Sequence, residues 1–126
     1  MITKKQPHWY TLNILPLYVE VCDNTLKIAI SDLTLLQDKL LKPHLLNKVV
    51  IQNINNIYHA QKDNNWMHFE QCKRWRDESP NDDELRLIAL IEKNAYQIDV
   101  INHQIITLVE KHVPQQNRSD PFAQVS

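Results

Sequence analysis

The chain has 126 residues, and none of them is glycine. Glycine-rich phosphate loops, dinucleotide fingerprints and nucleophile elbows all need glycine for positive φ or for close approach of the backbone, so the composition excludes them. The 14 basic and 15 acidic residues nearly cancel, and no global field draws the chain to nucleic acid or to an anionic membrane. Because tight hairpin turns also rely on glycine, the composition favours an all-α fold.

The length predicts a single domain. Cys22 and Cys72 are the only cysteines, and two distant thiols do not form a disulfide framework. The N-terminal residues lack the long apolar stretch of a secretory signal, and no uncharged apolar run is long enough to span a membrane. We therefore expect a soluble cytoplasmic protein with reduced cysteines and no membrane association.

The first amphipathic segment runs from about Pro16 to Leu41, and Lys42-Pro43 ends it because proline disfavours helix in the residue before it. Its apolar residues recur at alternating steps of four and three, which predicts an amphipathic helix. This stripe comprises Leu15, Val19, Cys22, Leu26, Ala29, Leu33, Leu36 and Leu40.

A second apolar stripe lies on the same predicted helix, with one residue per heptad: Ile14, Val21, Ile28 and Leu35. It sits about 100° around the helix from Cys22. The helix is then either sandwiched between two neighbours within the bundle, which is the interpretation we favour, or turned with one stripe toward a partner subunit.

The second segment opens at Pro43 and places Leu46, Val50, Ile54 and Ile57 on one face. Its periodicity weakens at residues 63–65 and resumes at Trp66, so we predict a helix that is bent or broken near residue 64.

The third segment begins with Ser79-Pro80, which predicts a serine N-cap and a proline at the first helical position, followed by acidic residues at 82–84 that complement the helix dipole. A strict heptad stripe then reaches His112, and Pro114 ends the helix: Ile88, Ile91, Ala95, Ile98, Asn102, Ile105, Val109 and His112. Asn102 interrupts this apolar stripe. It either fixes register or oligomeric state from within the core, or lies at the margin of the core and reaches water.

Together these segments predict an all-α bundle of three long antiparallel helices, the second bent or broken near residue 64. The bundle domain covers residues 14–113. Residues 1–13 form an N-terminal arm that we expect to pack on the bundle through Trp9, and residues 114–126 form a flexible polar tail.

The stretch from Trp66 to Arg76 combines aromatic and basic residues: Trp66, Phe69, Lys73, Arg74, Trp75 and Arg76. Such a stretch is typical of a packed structural corner, of a protein contact in which Trp and Arg are anchors, or of a single-stranded nucleic acid site. The acidic residues that follow it, starting with Asp77, would repel a phosphate backbone, and nucleic acid is therefore the weakest of the three interpretations.

Two pairs at helical i,i+4 spacing are candidates for chemistry. His68 and Cys72 share a helix face, but a structural zinc site needs four ligands and no second pair has this spacing. Asp99 and His103 resemble half of a general-base arrangement without a nucleophile nearby. We therefore predict no metal, no cofactor and no catalytic residue.

The sequence leads us to expect a small helical interaction protein, such as an adaptor, an inhibitor or immunity-type protein, or a regulatory subunit, without catalysis of its own. It would contact a protein partner or a second copy, as in a coiled coil, through Val21, Ile28 and Leu35 or through the Trp66–Arg76 stretch. The alternative is a nucleic-acid-associated regulator that uses the same stretch, and an unrecognised helical hydrolase or nuclease ranks last.

Overall fold

The computed structural model describes residues 8–40 and 47–111, and every regular element in these ranges is helical. A 3₁₀ turn at Leu12–Ile14 leads into four α-helices: α1 (Leu15–Leu40), α2 (Lys48–Asn64), α3 (Trp66–Arg76) and α4 (Asp82–Glu110). The all-α prediction is confirmed, and no helix in the described ranges has the length and apolar character needed to cross a bilayer. The predictions for the Lys42-Pro43 corner, residues 1–7 of the arm, His112 and the 114–126 tail lie outside the described residues.

The long helix α4 is the centre of the fold, because α1, α2 and α3 all pack against it. The start of α1 shares an apolar cluster with the start of α4, and the end of α1 shares another with the end of α4. These two helices therefore run in the same direction. The α2 and α3 helices run in the opposite direction, with α3 beside the start of α4 and α2 beside its end.

The helix predicted for the second segment is broken at Asn65, as the weak periodicity at residues 63–65 indicated. The Asn65 N–H bonds to the Lys62 carbonyl at 3.3 Å and its own carbonyl accepts from the His68 N–H at 3.2 Å. Both bonds span three residues, which tightens the junction into a 3₁₀-like turn. Asparagine and aspartate favour such local departures because their side chains compete for backbone hydrogen bonds. The buried Asn65 side chain donates to the Ala95 carbonyl at 3.0 Å and so fixes the junction to α4.

The start of α4 differs from its predicted position. Asn81, rather than Ser79, is the N-cap. The Asn81 side chain accepts from the Glu84 N–H at 2.8 Å, and the Glu84 carboxylate accepts from the Asn81 N–H at 2.9 Å. This reciprocal capping box satisfies two helix-end donors, which a serine cap at position 79 would not do. Ser79 instead takes a left-handed conformation, with φ of 56°.

The predicted core stripe is buried throughout the described part of α4 and at most positions of α1. On α1 Leu15, Cys22, Ala29, Leu33 and Leu36 are buried, whereas Val19 and Leu26 are partly buried. The side chain of Leu40 lies outside the described residues. The apolar residues form two separate clusters, one around Trp75 and one around Tyr58.

Buried polar side chains lie between these two clusters. Asn94 donates to the Asp23 carboxylate at 2.6 Å, and Asn65 contributes its bond to α4. Asn102 is fully buried, and neither of its amide atoms has a hydrogen-bond partner among the described residues. It therefore does not lie at the margin of the core.

Candidate functional site

The second stripe of α1 faces outward. Val21, Ile28 and Leu35 are 53%, 61% and 56% exposed, whereas Ile14 is partly buried against the cluster around Trp75. The favoured prediction, a helix sandwiched between two neighbours, is therefore wrong for these three residues. Large aliphatic side chains at heptad spacing remain uncovered by the described part of the chain.

Helix α2 lies beside the second half of α1 and adds two exposed aliphatic side chains to this surface. Tyr58 donates a hydrogen bond to Asp32, which links α2 to α1 at this level. Ile28 and Leu35 lie one turn on either side of Asp32, and Ile57 adjoins Tyr58 in α2. Ile57 and Val50, two turns apart, are both exposed. We refer to Val21, Ile28, Leu35, Val50 and Ile57 as the α1–α2 face.

A concave surface lies beside the α2–α3 break. A groove of ≈ 1240 Å³ is bounded by residues 8–10 of the arm, by α1 and by the junction of α2 with α3. Its floor includes the Tyr18 hydroxyl and the His68 Nδ1, which are 2.7 Å apart. Burial lowers the pKa of His68, and burial with neighbouring Cys22, Cys72 and Tyr10 raises that of Tyr18. The phenol therefore donates to a neutral imidazole at neutral pH.

The arm closes one side of this aromatic groove because its backbone is anchored to α3. Gln71 accepts from the Tyr10 N–H and donates to the Tyr10 carbonyl, and that carbonyl also accepts from the Trp75 indole at 2.9 Å. Trp9 then stands edge to face with Trp66, with ring centroids 6.3 Å apart. The arm thus packs on the bundle through the Tyr10 backbone as well as through Trp9.

The residues of the Trp66–Arg76 stretch are divided between surface and core. Trp66, Phe69, Lys73 and both arginines are exposed. Trp75 is fully buried and contacts the Tyr18 ring at 5.0 Å between centroids. The structure therefore assigns Trp75 to the core rather than to a contact surface.

Both arginines of this stretch have carboxylate partners. Arg74 binds Glu70 at 3.1 Å and lies over the Trp9 ring at 4.4 Å from its centroid. Arg76 binds both carboxylate oxygens of Glu92 on α4, at 2.6 and 3.1 Å. The partners of both arginines are thus Glu70 and Glu92, and not the acidic residues at 77–84 that follow the stretch in sequence.

The candidate metal pair is engaged in packing. Nδ1 of His68 is bonded to Tyr18, and Cys72 is fully buried with its thiol 3.9 Å from the Ile88 carbonyl oxygen. Burial raises the pKa of Cys72 to about 12 and that of Cys22 to about 11, so both thiols stay protonated. Within the described ranges no three His, Cys, Asp or Glu side chains converge on a metal-sized site.

The second candidate pair, Asp99 and His103, is exposed on α4. Neither residue reaches the groove or the α1–α2 face. The imidazole that does pair with a carboxylate is His59, whose Nε2 lies 3.1 Å from Glu110.

The groove itself was not predicted from the sequence. Tyr10, Tyr18 and Gln71 belong to no recognisable sequence motif. The hydrogen bonds between the arm and α3 join residues about sixty positions apart in the chain. The one available signal was the aromatic content of residues 8–10 together with that of 66–75, which is typical of a shared cluster.

Comparison with known proteins gives no relative: no protein-family model matches the chain, and no match is found among the curated proteins or the solved structures.

Proposed function

We propose that the chain is a helical interaction protein that works through the α1–α2 face, and that a second copy of the chain is its first partner. The observation that supports this is the row of half-exposed aliphatic side chains at positions 21, 28 and 35, flanked by Val50 and Ile57. A group of exposed aliphatic side chains on one side of the helices is typical of a contact site.

The arrangement of the stripe favours a second copy. Val21 and Leu35 lie one heptad on either side of Ile28. When two α1 helices cross antiparallel at Ile28, Ile28 meets its own counterpart, and Val21 of each copy meets Leu35 of the other. This is the self-complementary pattern that a two-fold interface requires.

The energetics predict a weak dimer. Covering the exposed half of one aliphatic side chain contributes roughly 1 kcal/mol, so ten such side chains from two copies contribute roughly 10 kcal/mol. Association costs about 4–15 kcal/mol in lost freedom. The gain exceeds the lower end of this cost by about 6 kcal/mol, and we expect a dimer whose population depends on concentration between about tens of micromolar and the millimolar range.

Sedimentation velocity over that range of concentrations tests the proposal. The unmodified chain shifts from monomer to dimer, and Ile28→Glu remains monomeric because the substitution places a like-charge pair at the centre of the interface. Val100→Glu is the matched control, since Val100 is an exposed aliphatic residue on α4 outside the face. A chain that is monomeric throughout the range, or that dimerises equally with Ile28→Glu, contradicts the proposal.

The nucleic-acid alternative has less support. To bind either arginine, a phosphate backbone would have to displace Glu70 from Arg74 or Glu92 from Arg76. Among the described residues of α3, Lys73 is then the basic side chain that has no carboxylate partner to lose. This alternative predicts binding of a single-stranded oligonucleotide that weakens steeply with salt. Binding that is absent at low salt removes it.

A further inference from the structure

We propose that the aromatic groove binds a guanidinium or primary ammonium group. The site borders the α1–α2 face at Val21, which belongs to both, but it differs from that face in its chemistry, and the proposal does not rest on dimerisation. Two features of the described residues lead to this proposal: ring faces and the local balance of charge.

Aromatic rings form much of the groove wall. Trp9, Tyr10 and Tyr18 line it from the arm and α1, and Trp66, 52% exposed, lines it from α3. The electron-rich face of an indole or phenol ring attracts a cation, and tryptophan does so most strongly. Arg74 already places a guanidinium over one ring of this cluster, at 4.4 Å from the centroid of Trp9.

The charges around the groove favour a cationic ligand. Asp63 lies at its rim and contributes a carboxylate. Arg74, which lies over the Trp9 ring, is neutralised by Glu70, and His68 is uncharged at neutral pH because burial lowers its pKa. A positively charged ligand matches the Asp63 carboxylate and the ring faces.

Two sources can supply such a group, a free small molecule or the side chain of a peptide. The test therefore uses N-acetyl-arginine amide, N-acetyl-lysine amide, and a Gly/Ser peptide with one central arginine. N-acetyl-citrulline amide is the uncharged isostere. The readout is the set of three indole N–H signals in a ¹⁵N–¹H NMR spectrum of the full chain.

We expect the arginine and lysine derivatives to shift the Trp66 and Trp9 signals, with a dissociation constant on the order of 1 mM, and the citrulline derivative to leave them unchanged. Asp63→Asn and Trp66→Ala each weaken binding by about threefold or more. The matched controls on α4, Asp99→Asn and Tyr96→Ala, do not weaken it. All four positions are exposed, so the variants fold.

Tighter binding of the arginine peptide than of the arginine derivative assigns the site to a protein side chain, and equal binding assigns it to a small cation. Equal shifts with the citrulline derivative overturn the proposal. So do unchanged Trp66 and Trp9 signals with every probe, and binding that neither groove variant weakens.

Discussion

The side chain of Gln71 binds both polar groups of Tyr10, accepting from its N–H at 2.8 Å and donating to its carbonyl oxygen at 3.2 Å. Gln71 is itself 1% exposed. Because this buried amide both accepts from and donates to the Tyr10 backbone, it fixes the arm to α3.

Replacing Gln71 with Met keeps the shape of the side chain and removes both bonds. We expect the free energy of unfolding to fall by about 1–3 kcal/mol, because the Tyr10 N–H loses its partner. Amide exchange at Tyr10 becomes faster at the same time. Urea denaturation and hydrogen exchange measure the two effects. Lys73→Met is the control on the same helix, and an equal loss of stability in that variant contradicts the role of the two Gln71–Tyr10 hydrogen bonds.

Asn102 is a source of instability in the core. Both of its amide atoms are buried without a partner among the described residues. Asn102→Leu, which has the same branching without polar atoms, is expected to raise the free energy of unfolding by about 1–3 kcal/mol. Asn94→Leu is the control, because it removes the hydrogen bond that Asn94 donates to Asp23 and is expected to lower the free energy of unfolding. Thermal denaturation should therefore show a higher melting temperature for Asn102→Leu and a lower one for Asn94→Leu. A lower free energy of unfolding for Asn102→Leu than for the unmodified chain would contradict the destabilising role of Asn102.

Ser79 takes a conformation that suits glycine, in a chain that has no glycine. A left-handed backbone costs a residue with a Cβ atom about 1–2 kcal/mol, and part of the gain from glycine is lost to its greater freedom in the unfolded chain. Ser79→Gly is therefore expected to raise stability by about 0.5–1 kcal/mol, while Ser79→Ala leaves it nearly unchanged. Chemical denaturation distinguishes them, and a destabilised glycine variant would show that φ at this position is not left-handed.

His68 predicts a pH dependence of stability. Burial lowers its pKa below the ordinary value of 6.5, so between the two values the unfolded chain binds a proton that the folded chain does not. The free energy of unfolding therefore falls as pH drops through about 6.5, until the pKa of the folded state is reached. Urea midpoints at pH 7 and below measure the slope.

The variant His68→Gln isolates this contribution, because glutamine stays neutral and can still accept from Tyr18. We expect a shallower slope in this variant near pH 6. Equal slopes in the two proteins mean that His68 titrates alike in the folded and unfolded chains.

Periodicity was enough to predict the helices and most of the core faces of α1 and α4. The α4 stripe from Ile88 to Val109 is buried as expected, because α4 contacts three other helices. The face predicted for the second segment was wrong: Val50 and Ile57 are exposed, and their neighbours Ile51 and Tyr58 are buried instead. The break at Asn65 followed from poor helix formers in a row. The N-cap was misplaced by two residues because Ser79-Pro80 and Asn81 both fit the pattern of a helix start, and only the Glu84 carboxylate distinguishes them.

The surfaces were harder to predict than the core. Heptad spacing cannot tell a stripe that faces a neighbour within the chain from one that faces outward, and for Val21, Ile28 and Leu35 the outward orientation holds. The aromatic groove depends on contacts between residues far apart in sequence, such as Tyr18 with His68. Local patterns carry no information about such pairs.

Disulfide trapping of variants with one added cysteine tests the antiparallel contact of two α1 helices. The native cysteines do not interfere, since Cys22 and Cys72 are buried and protonated. Under mild oxidation Ile28→Cys is expected to form a covalent dimer, and a mixture of Val21→Cys with Leu35→Cys to cross-link more than either variant alone. Val100→Cys, on α4, is expected to stay monomeric. Cross-linking at position 100 as strong as at position 28, or none at position 28, would contradict the proposed dimer.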